Sequence, residues 1–535
     1  MARSPIRDGL AGLSVAGLMV PEAVAYAAIA GLAPGRALVA GIAGGIAYVL
    51  VGRSRFAIVS PTSSSAVILA AALGSLSADP ATRDMMATAM TLAVGALFAG
   101  LALFRLGSLA GFVSRPVLRG FAFGLAITII VKQLPKLAGV AVPAGSIGSV
   151  VLDLARQLPD WHWASVALGV GALGALLGLR RFRGLPAAFI VIVAGIALSL
   201  LADLRGMGIA LAGPAPLAMP SLALPQGFQI WGRIAQLAAP VTLIIFAESW
   251  GTMRNLALRH GDTLSPNREL GAIGFANAAA ALVQGMPIGA GFSGCSANEA
   301  AGAQSRLAAL VASLSVLALA LFAGSLIARI PEPVLAAIVI GALTHALSPA
   351  PLIRLFRIGR DQWIGLAAAL GVLALGVLDG MLLAIGLSIA ELLYRLSHPL
   401  VSELGQVRGG HDFVDIARHA DAERIAGVAI YRPNAPLFFA NSEASLRAIG
   451  DAARKRAEPV LILSLEESND LDSTAVEALG EFAQSLKGAS RRLILARAHD
   501  RVRDVLSVAG LSELAEGSTF SVADAAAQAR QGASR

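Results

Sequence analysis

The sequence is poor in the residues from which soluble catalytic sites are built. Its 535 residues include one cysteine, Cys295, so no disulfide can close within the chain. Seven histidines are scattered, and His162, His260 and His345 stand unpaired in the apolar part, without metal-ligand spacing. Only 14% of residues are charged and 5% aromatic, whereas 56% are hydrophobic. That composition excludes an ordinary soluble domain and fits a chain with many spanning helices. No Gly-rich phosphate loop and no nucleophile–base constellation argue for an enzyme, and no cofactor or metal is expected. Residues 1–8 carry Arg3 and Arg7 but no convincing cleavage site, so no signal peptide is expected.

The net charge of +8 is unevenly spread. Residues 1–400 hold 26 Lys and Arg against 15 Asp and Glu, giving +11; residues 401–535 hold 16 against 19, giving −3. The basic excess belongs to the apolar part, where loop charge sets orientation in a lipid bilayer, and no nucleic-acid partner is expected.

Apolar runs fall near 9–30, 37–51, 61–74, 85–104, 116–131, 162–179 and 186–204; after a polar, Pro-rich break at 205–229 they resume near 236–253, 269–284, 293–303, 307–328, 333–348, 362–378 and 380–396. This is a polytopic α-helical membrane protein of about 14 segments, in which 61–74 and 293–303 are too short to cross. An odd number of segments per half puts the halves in opposite orientation. With the N-terminus inside, 18 of the 26 basic residues of 1–400 face the cytoplasm, Arg53, Arg55, Arg180 and Arg181 among them, so both termini are expected to be cytoplasmic.

Two stretches break the apolar pattern. Residues 289–298 read GAGFSGCSAN, all small residues apart from Phe292, with Ser293, Gly294 and Cys295 at the centre. Residues 60–65 read SPTSSS, so that Thr62, Ser63, Ser64 and Ser65 precede an apolar run; Ser60 is the expected cap and Pro61 the first-turn residue. A helix starting at either place would aim free N–H groups and the positive end of its dipole at whatever lies in front. Two such starts, one per half, suggest an anion site between facing helix N-termini; small-residue helix packing is the plainer alternative.

Two carboxylates lie at membrane depth. Glu248, in LIIFAESWG, is costly there unless paired, protonated or ion-bound; Arg254 is the available structural partner. Glu22 has Tyr26 four residues later on the same helical face. Lys132 and Lys136 read as loop charges, and Glu299 and Glu391 have no obvious place.

After residue 399 the pattern changes. Residues 427–440 read as two strand-like runs around a Pro-Asn turn, 442–457 as a helix, 459–465 as a buried strand, 472–486 as a helix opened by Asp472, 492–496 as a strand and 502–509 as a helix. Alternating strands and helices argue for a small α/β domain at 401–535 behind a transmembrane domain at 1–400.

These motifs, taken in order, resemble the SulP (sulfate permease) family of anion transporters. VPEAVAYAAIAGLAP at 20–34, GRSRFAIVSPTSSSAV at 52–67, SRPVLRGFAFGLAI at 114–127 and the run from Asn267 to Arg306 are similar to the family's first, third, fifth, and ninth and tenth segments; APLFFANSE at 435–443 and DLDSTAVEAL at 470–479 are similar to a STAS domain. The resemblance implies a 7+7 inverted repeat, a substrate site between the third and tenth segments, elevator-like motion of a core against a gate, and a homodimer with cytoplasmic STAS domains; the membrane is expected to be a bacterial-type inner (plasma) membrane. It also implies a coupling-ion role for Glu248. Relatives usually carry Gln where Glu22 stands and often Arg where Gly294 stands, so this chain has gained an acid and lost a base beside the expected anion. The functional expectation is secondary active transport of a sulfate-type anion, bicarbonate or a dicarboxylate with a proton or sodium as coupling ion. An electroneutral anion exchanger, a sodium-coupled bicarbonate symporter and a non-transporting membrane sensor signalling through STAS are the alternatives to proton coupling.

Overall fold

A computed structural model describes residues 5–76, 79–107, 114–143, 145–182, 187–213, 224–322, 324–359, 362–398, 400–408, 410–456 and 458–533, in two compact units, 1–388 and 389–535.

The first unit is helical. Its first half comprises α1 (Pro5–Ala30), α2 (Pro34–Val51), a two-residue strand β1 (Val59–Ser60), α3 (Ser63–Leu76), α4 (Pro80–Leu103), α5 (Arg115–Ala138), α6 (Ile147–Arg156), α7 (Trp163–Leu179) and α8 (Ala187–Leu201). Its second half comprises α9 (Phe228–His260), α10 (Pro266–Leu282), β2 (Gly289–Ala290), α11 (Phe292–Ala300), α12 (Leu307–Phe322), α13 (Gly324–Ile327), α14 (Glu332–Leu343), α15 (Ala350–Ile358), α16 (Gln362–Leu375) and α17 (Val377–Ser397). Each of the fourteen apolar runs is met by a helix. Helices α6 and α15 were not expected: they are short and amphipathic, not apolar throughout, which hides them from a hydropathy reading. Part of the break between the halves, 214–223, lies outside the described residues.

Helix starts follow local chemistry. Pro34 and Pro80 occupy first-turn positions, and the Asp79 side chain accepts the Thr82 N–H at 2.8 Å. Lys132 and Lys136 lie within the last two turns of α5, which continues to Gly139 in the left-handed conformation; they are helical and not loop residues.

Helices α1–α4 pack with α9–α12, and α5, α7, α14 and α16 pack with one another. Close approach rests on small residues. A Cβ on Gly95 of α4 would come within 3.0 Å of the Ala278 backbone on α10, and one on Gly274 of α10 would meet the Gly95 carbonyl at 3.1 Å.

Polar pins hold the first of these bundles. Buried Glu269 accepts from the Tyr48 hydroxyl at 2.5 Å and from the Arg53 N–H at 3.0 Å. Asp8 on α1 accepts the N–H groups of Gln304 and Ser305 just before α12. Glu299 meets His260 at 2.8 Å and Arg259 at 3.7 Å, so His260 is paired, contrary to the sequence expectation; a 39-residue separation concealed the contact. Outside that bundle, within α17, Glu391 pairs with Arg395 one turn on, at 2.7 Å.

The second unit is α/β. Strands β3 (Val401–Val407), β4 (Phe413–Asp415), β5 (Ala422–Glu423), β6 (Val428–Pro433), β7 (Val460–Ser464) and β8 (Arg492–Ala496) form one sheet, and helices α18 (Ser442–Arg454), α19 (Ser473–Gly488), α20 (Asp500–Val508), α21 (Ser512–Glu516) and α22 (Val522–Ala533) accompany it. The path of the sheet is β4-β3-β6-β7-β8, with β5 paired to β3. Strands β6, β7 and β8 are parallel, as their helical crossovers require. Asp472 caps α19 by accepting the Ala475 N–H at 2.8 Å. Residues 435–440, read as a second strand run, form none: the Leu437 N–H donates to Ser468 and the Phe439 N–H to Asp472, which removes donors a ladder would need.

Candidate substrate and ion site

The site is built where the two halves of the first unit cross. β1 and β2 pair antiparallel, Val59 with Ala290 and Ser60 with Gly289. From this patch the chain turns into α3 on one side and α11 on the other, so that both helices begin at the same place. The patch is held from α9 and α10. Ser249 accepts the Ala290 N–H at 2.9 Å, and Asn277 both donates to the Ile288 carbonyl and accepts the Ile288 N–H. A Cβ on Gly289 would lie 2.8 Å from Ser249 Oγ, so a larger residue would push the strand off α9.

At α3 the cap is Thr62, two residues beyond the Ser60 expected from sequence. Thr62 Oγ1 accepts the Ser65 N–H at 3.1 Å, and Ser65 Oγ accepts the Thr62 N–H at 3.0 Å. This reciprocal pair fixes the start at Ser63, because Ser60 is engaged in strand β1. Thr62 and Ser64 then have hydroxyls left over. Both donate to Oε2 of Glu248, Thr62 at 3.3 Å, and Thr62 Oγ1 and Ser64 Oγ lie 3.0 Å apart. The partner of Glu248 is therefore this pair of hydroxyls and not Arg254.

At α11 the arrangement is different. Phe292 and Ser293 line a cavity of about 580 Å³, together with Glu22 from α1 and Arg180 at the end of α7. Glu22 is 6% exposed and its Oε1 has no hydrogen-bond partner. Ser293 stands beside both Glu22 and Tyr26, and Ser63 beside Tyr26, so Tyr26 bridges the two helix starts. Gly294 and Cys295 face away from the cavity. A Cβ on Gly294 would meet Ile58 at 3.3 Å, and Cys295 Sγ takes the Ile58 N–H at 3.4 Å.

Sequence reasoning missed Arg180. The Arg180-Arg181 pair reads as an orientation signal, and nothing local separates one from the other. In the fold, the Arg180 guanidinium reaches across to α14, donating to the Gly341 carbonyl at 2.6 Å, within electrostatic range of Glu22. A fixed positive charge thus faces the cavity although Gly294 carries none.

The sequence profile of the sulfate permease family matches residues 6–389, and that of the STAS domain matches residues 419–526. The chain belongs to the sulfate permease family. This sulfate permease homologue is 34% identical over 531 residues to a probable sulfate transporter of Mycobacterium tuberculosis, covering 98% of this chain and 94% of that protein. It is 27% identical over 534 residues to the chloroplastic sulfate transporter 4.1 of Arabidopsis thaliana, covering 95% of this chain and 77% of the relative. Its fold is similar to that of murine solute carrier 26 family member A9, an anion transporter in the inward-facing state, at 22% identity with a TM-score of 0.90 over 98% of this chain and 91% of that one. It is also similar to the transmembrane domain of a cyanobacterial bicarbonate transporter, at 23% identity with a TM-score of 0.64 over 71% and 97%. The sulfate permease homologue is a polytopic membrane protein of an anion-transport family, with a helical transmembrane domain followed by a STAS-type α/β domain.

Proposed function

We propose that this protein takes up sulfate or a closely similar oxyanion together with a proton, through the 580 Å³ cavity in front of α11. The observation that carries the reading is Glu248 held by Thr62 and Ser64 where the two half-helices begin. A carboxylate at membrane depth is stable when neutralised, and a site placed between the hydroxyls of α3 and the N-cap of α11 couples that neutralisation to an anion beside it.

In the proposed cycle the anion sits against the N–H groups that open α11, with the Ser293 hydroxyl as donor and Tyr26 beside it. Arg180 offsets its charge. Glu248 carries the proton, and Glu22, with an unused oxygen, is the second acid that must be neutral when the anion is bound. The helices α1–α4 and α9–α12 move as a core against α5–α8 and α14–α17. The chain is placed in a bacterial-type inner (plasma) membrane as a homodimer, both termini cytoplasmic, with residues 1–400 as the transport domain and 401–535 as the STAS domain in an assembly or regulatory role. In that orientation the cavity opens to the cytoplasm, because it runs from Glu22 back toward Ser14 on α1 and is walled by the first turn of α8 and the last turns of α11 and α14.

The test is uptake of labelled sulfate, bicarbonate and dicarboxylates into proteoliposomes, with and without an inward proton or sodium gradient. Sulfate accumulation driven by protons alone supports the reading. Accumulation driven by sodium alone replaces the coupling ion, and one-for-one exchange without a gradient replaces the mechanism.

A further inference from the structure

The largest cavity among those described, about 1160 Å³, is not the one in front of α11. It lies at the opposite end of the first unit, walled by the end of α1, the start of α4, the end of α5, the loop into α6 and the turn between α16 and α17. Three cations line it: Arg83 from α4, and Lys132 and Lys136, one turn apart on α5. One carboxylate, Glu332, stands against them, leaving an excess of two positive charges. Among the described residues none of the three cations forms an ion pair, and Arg83 Nε is buried with no hydrogen-bond partner. An adjoining recess of about 360 Å³ adds Arg233 and Asp379, one charge of each sign, and does not change the balance.

Two further observations point inward from this basic pocket. Val67, Ala70, Ala71 and Gly74 of α3 line it, the face that continues one turn down to Ser63 at the start of the helix. The side chains on that face are small. In addition, the orientation proposed above puts this end outside, where topology selects against Lys and Arg and so does not account for three of them.

We infer that this cavity is a second anion site, an entry vestibule in which Arg83, Lys132 and Lys136 gather a small oxyanion before it travels along α3 to the helix crossing. Unpaired charges of one sign on low-dielectric walls concentrate the opposite ion and raise its arrival rate. The substrate class and the outward placement rest on the proposed function; the basic cavity itself does not.

The experiment therefore needs no transport. Ala141, exposed on the cavity wall, is changed to cysteine in the full chain in phosphatidylcholine vesicles, with the unsubstituted protein, whose Cys295 is buried, as the blank. The thiol is modified by an ethylsulfonate methanethiosulfonate and, separately, by its trimethylammonium analogue. The expected preference for the anionic reagent, relative to a free thiol in solution, is about tenfold at low ionic strength. It should collapse in high salt. Inorganic sulfate should slow the anionic reagent. Lys132→Gln with Lys136→Gln, or Arg83→Gln alone if the double variant fails to insert, should cut the preference by at least about threefold. A preference equal to that of the free thiol, or unmoved by removing the cations, overturns the site. A preference abolished by adding phosphatidylglycerol assigns the cations to a lipid headgroup and overturns it as a free-anion site. Failure of sulfate uptake with the reagent bias intact would refute the proposed function and leave the vestibule standing.

Discussion

The starts of α3 and α11 are the same device used twice and finished differently. Both follow a two-residue strand, both carry a serine in the first turn, and the strands pair with each other. At α3 the spare hydroxyls of Thr62 and Ser64 are spent on Glu248, so an acid already stands against that helix start. At α11 the Ser293 hydroxyl faces a cavity bounded by Glu22 and Arg180. Each helix start supplies a patch of partial positive charge; side chains assign one to a fixed carboxylate, and in the proposed function the other is left for a diffusing anion.

The sharpest way to break this division is Glu248→Gln. The amide mimics the neutral acid, so anion binding and exchange should persist while accumulation driven by a proton gradient falls at least about tenfold, a loss of roughly 1.4 kcal/mol or more in coupling. Gradient-dependent uptake at the level of the unaltered protein would remove Glu248 from the coupling role. Next is the pair Ser293→Leu and Ser64→Leu. Losing a donor to a charged ligand costs about 1.5–3 kcal/mol, so Ser293→Leu should weaken sulfate binding by roughly ten- to a hundredfold in equilibrium titration. Ser64→Leu should change that affinity less and the gradient dependence more. Equal effects on both readouts would mean that the two helix starts form one undivided site.

Arg180→Gln tests the cavity side with a smaller effect. The guanidinium is partly solvated, so an increase in KM of about three- to tenfold is expected, with weaker salt dependence and little change in maximal rate.

How far this could be read from sequence follows the range of each interaction. The fourteen apolar runs and the two interrupted segments are local signals, and each is met by a helix or a helix start; Glu22 and Glu248 stand out locally as acids inside apolar runs. The amphipathic helices α6 and α15 lack the continuous apolar signal. The cap at Thr62 in place of Ser60 depended on a strand pairing across 230 residues, Ser60 with Gly289. Arg180, Glu269 and the pairing of His260 with Glu299 were not legible for the same reason: each depends on which remote helix supplies the neighbour. In the second unit the parallel strands were visible as apolar runs, while β3, β4 and β5, which mix polar and apolar residues, were not.

The smallest expected effect lies in that second unit. Asp415 accepts from the Ser402 hydroxyl at 2.6 Å and the Ala417 N–H at 2.8 Å, which hold its carboxyl below the usual carboxylate range. A depressed folded pKa stabilises above the unfolded value and is lost as pH falls through the folded one. Residues 401–535 expressed alone should fold, and Asp415→Asn should flatten the acid limb of a thermal-melt series followed by circular dichroism. A superimposable acid limb would deny Asp415 that part.

In the proposed cycle the β1–β2 patch makes the two binding places travel as one body. Its paired residues lie within four residues of the helix starts that follow them, and Ser249, beside Glu248 on α9, holds it from behind. The carboxylate and the donors of α11 are thus riveted to one plate, and in the proposed cycle they change sides together whether one or both are loaded. Tight one-to-one accounting between the two ions would then have to come from which loading states let the plate move, and not from the two-residue strands themselves.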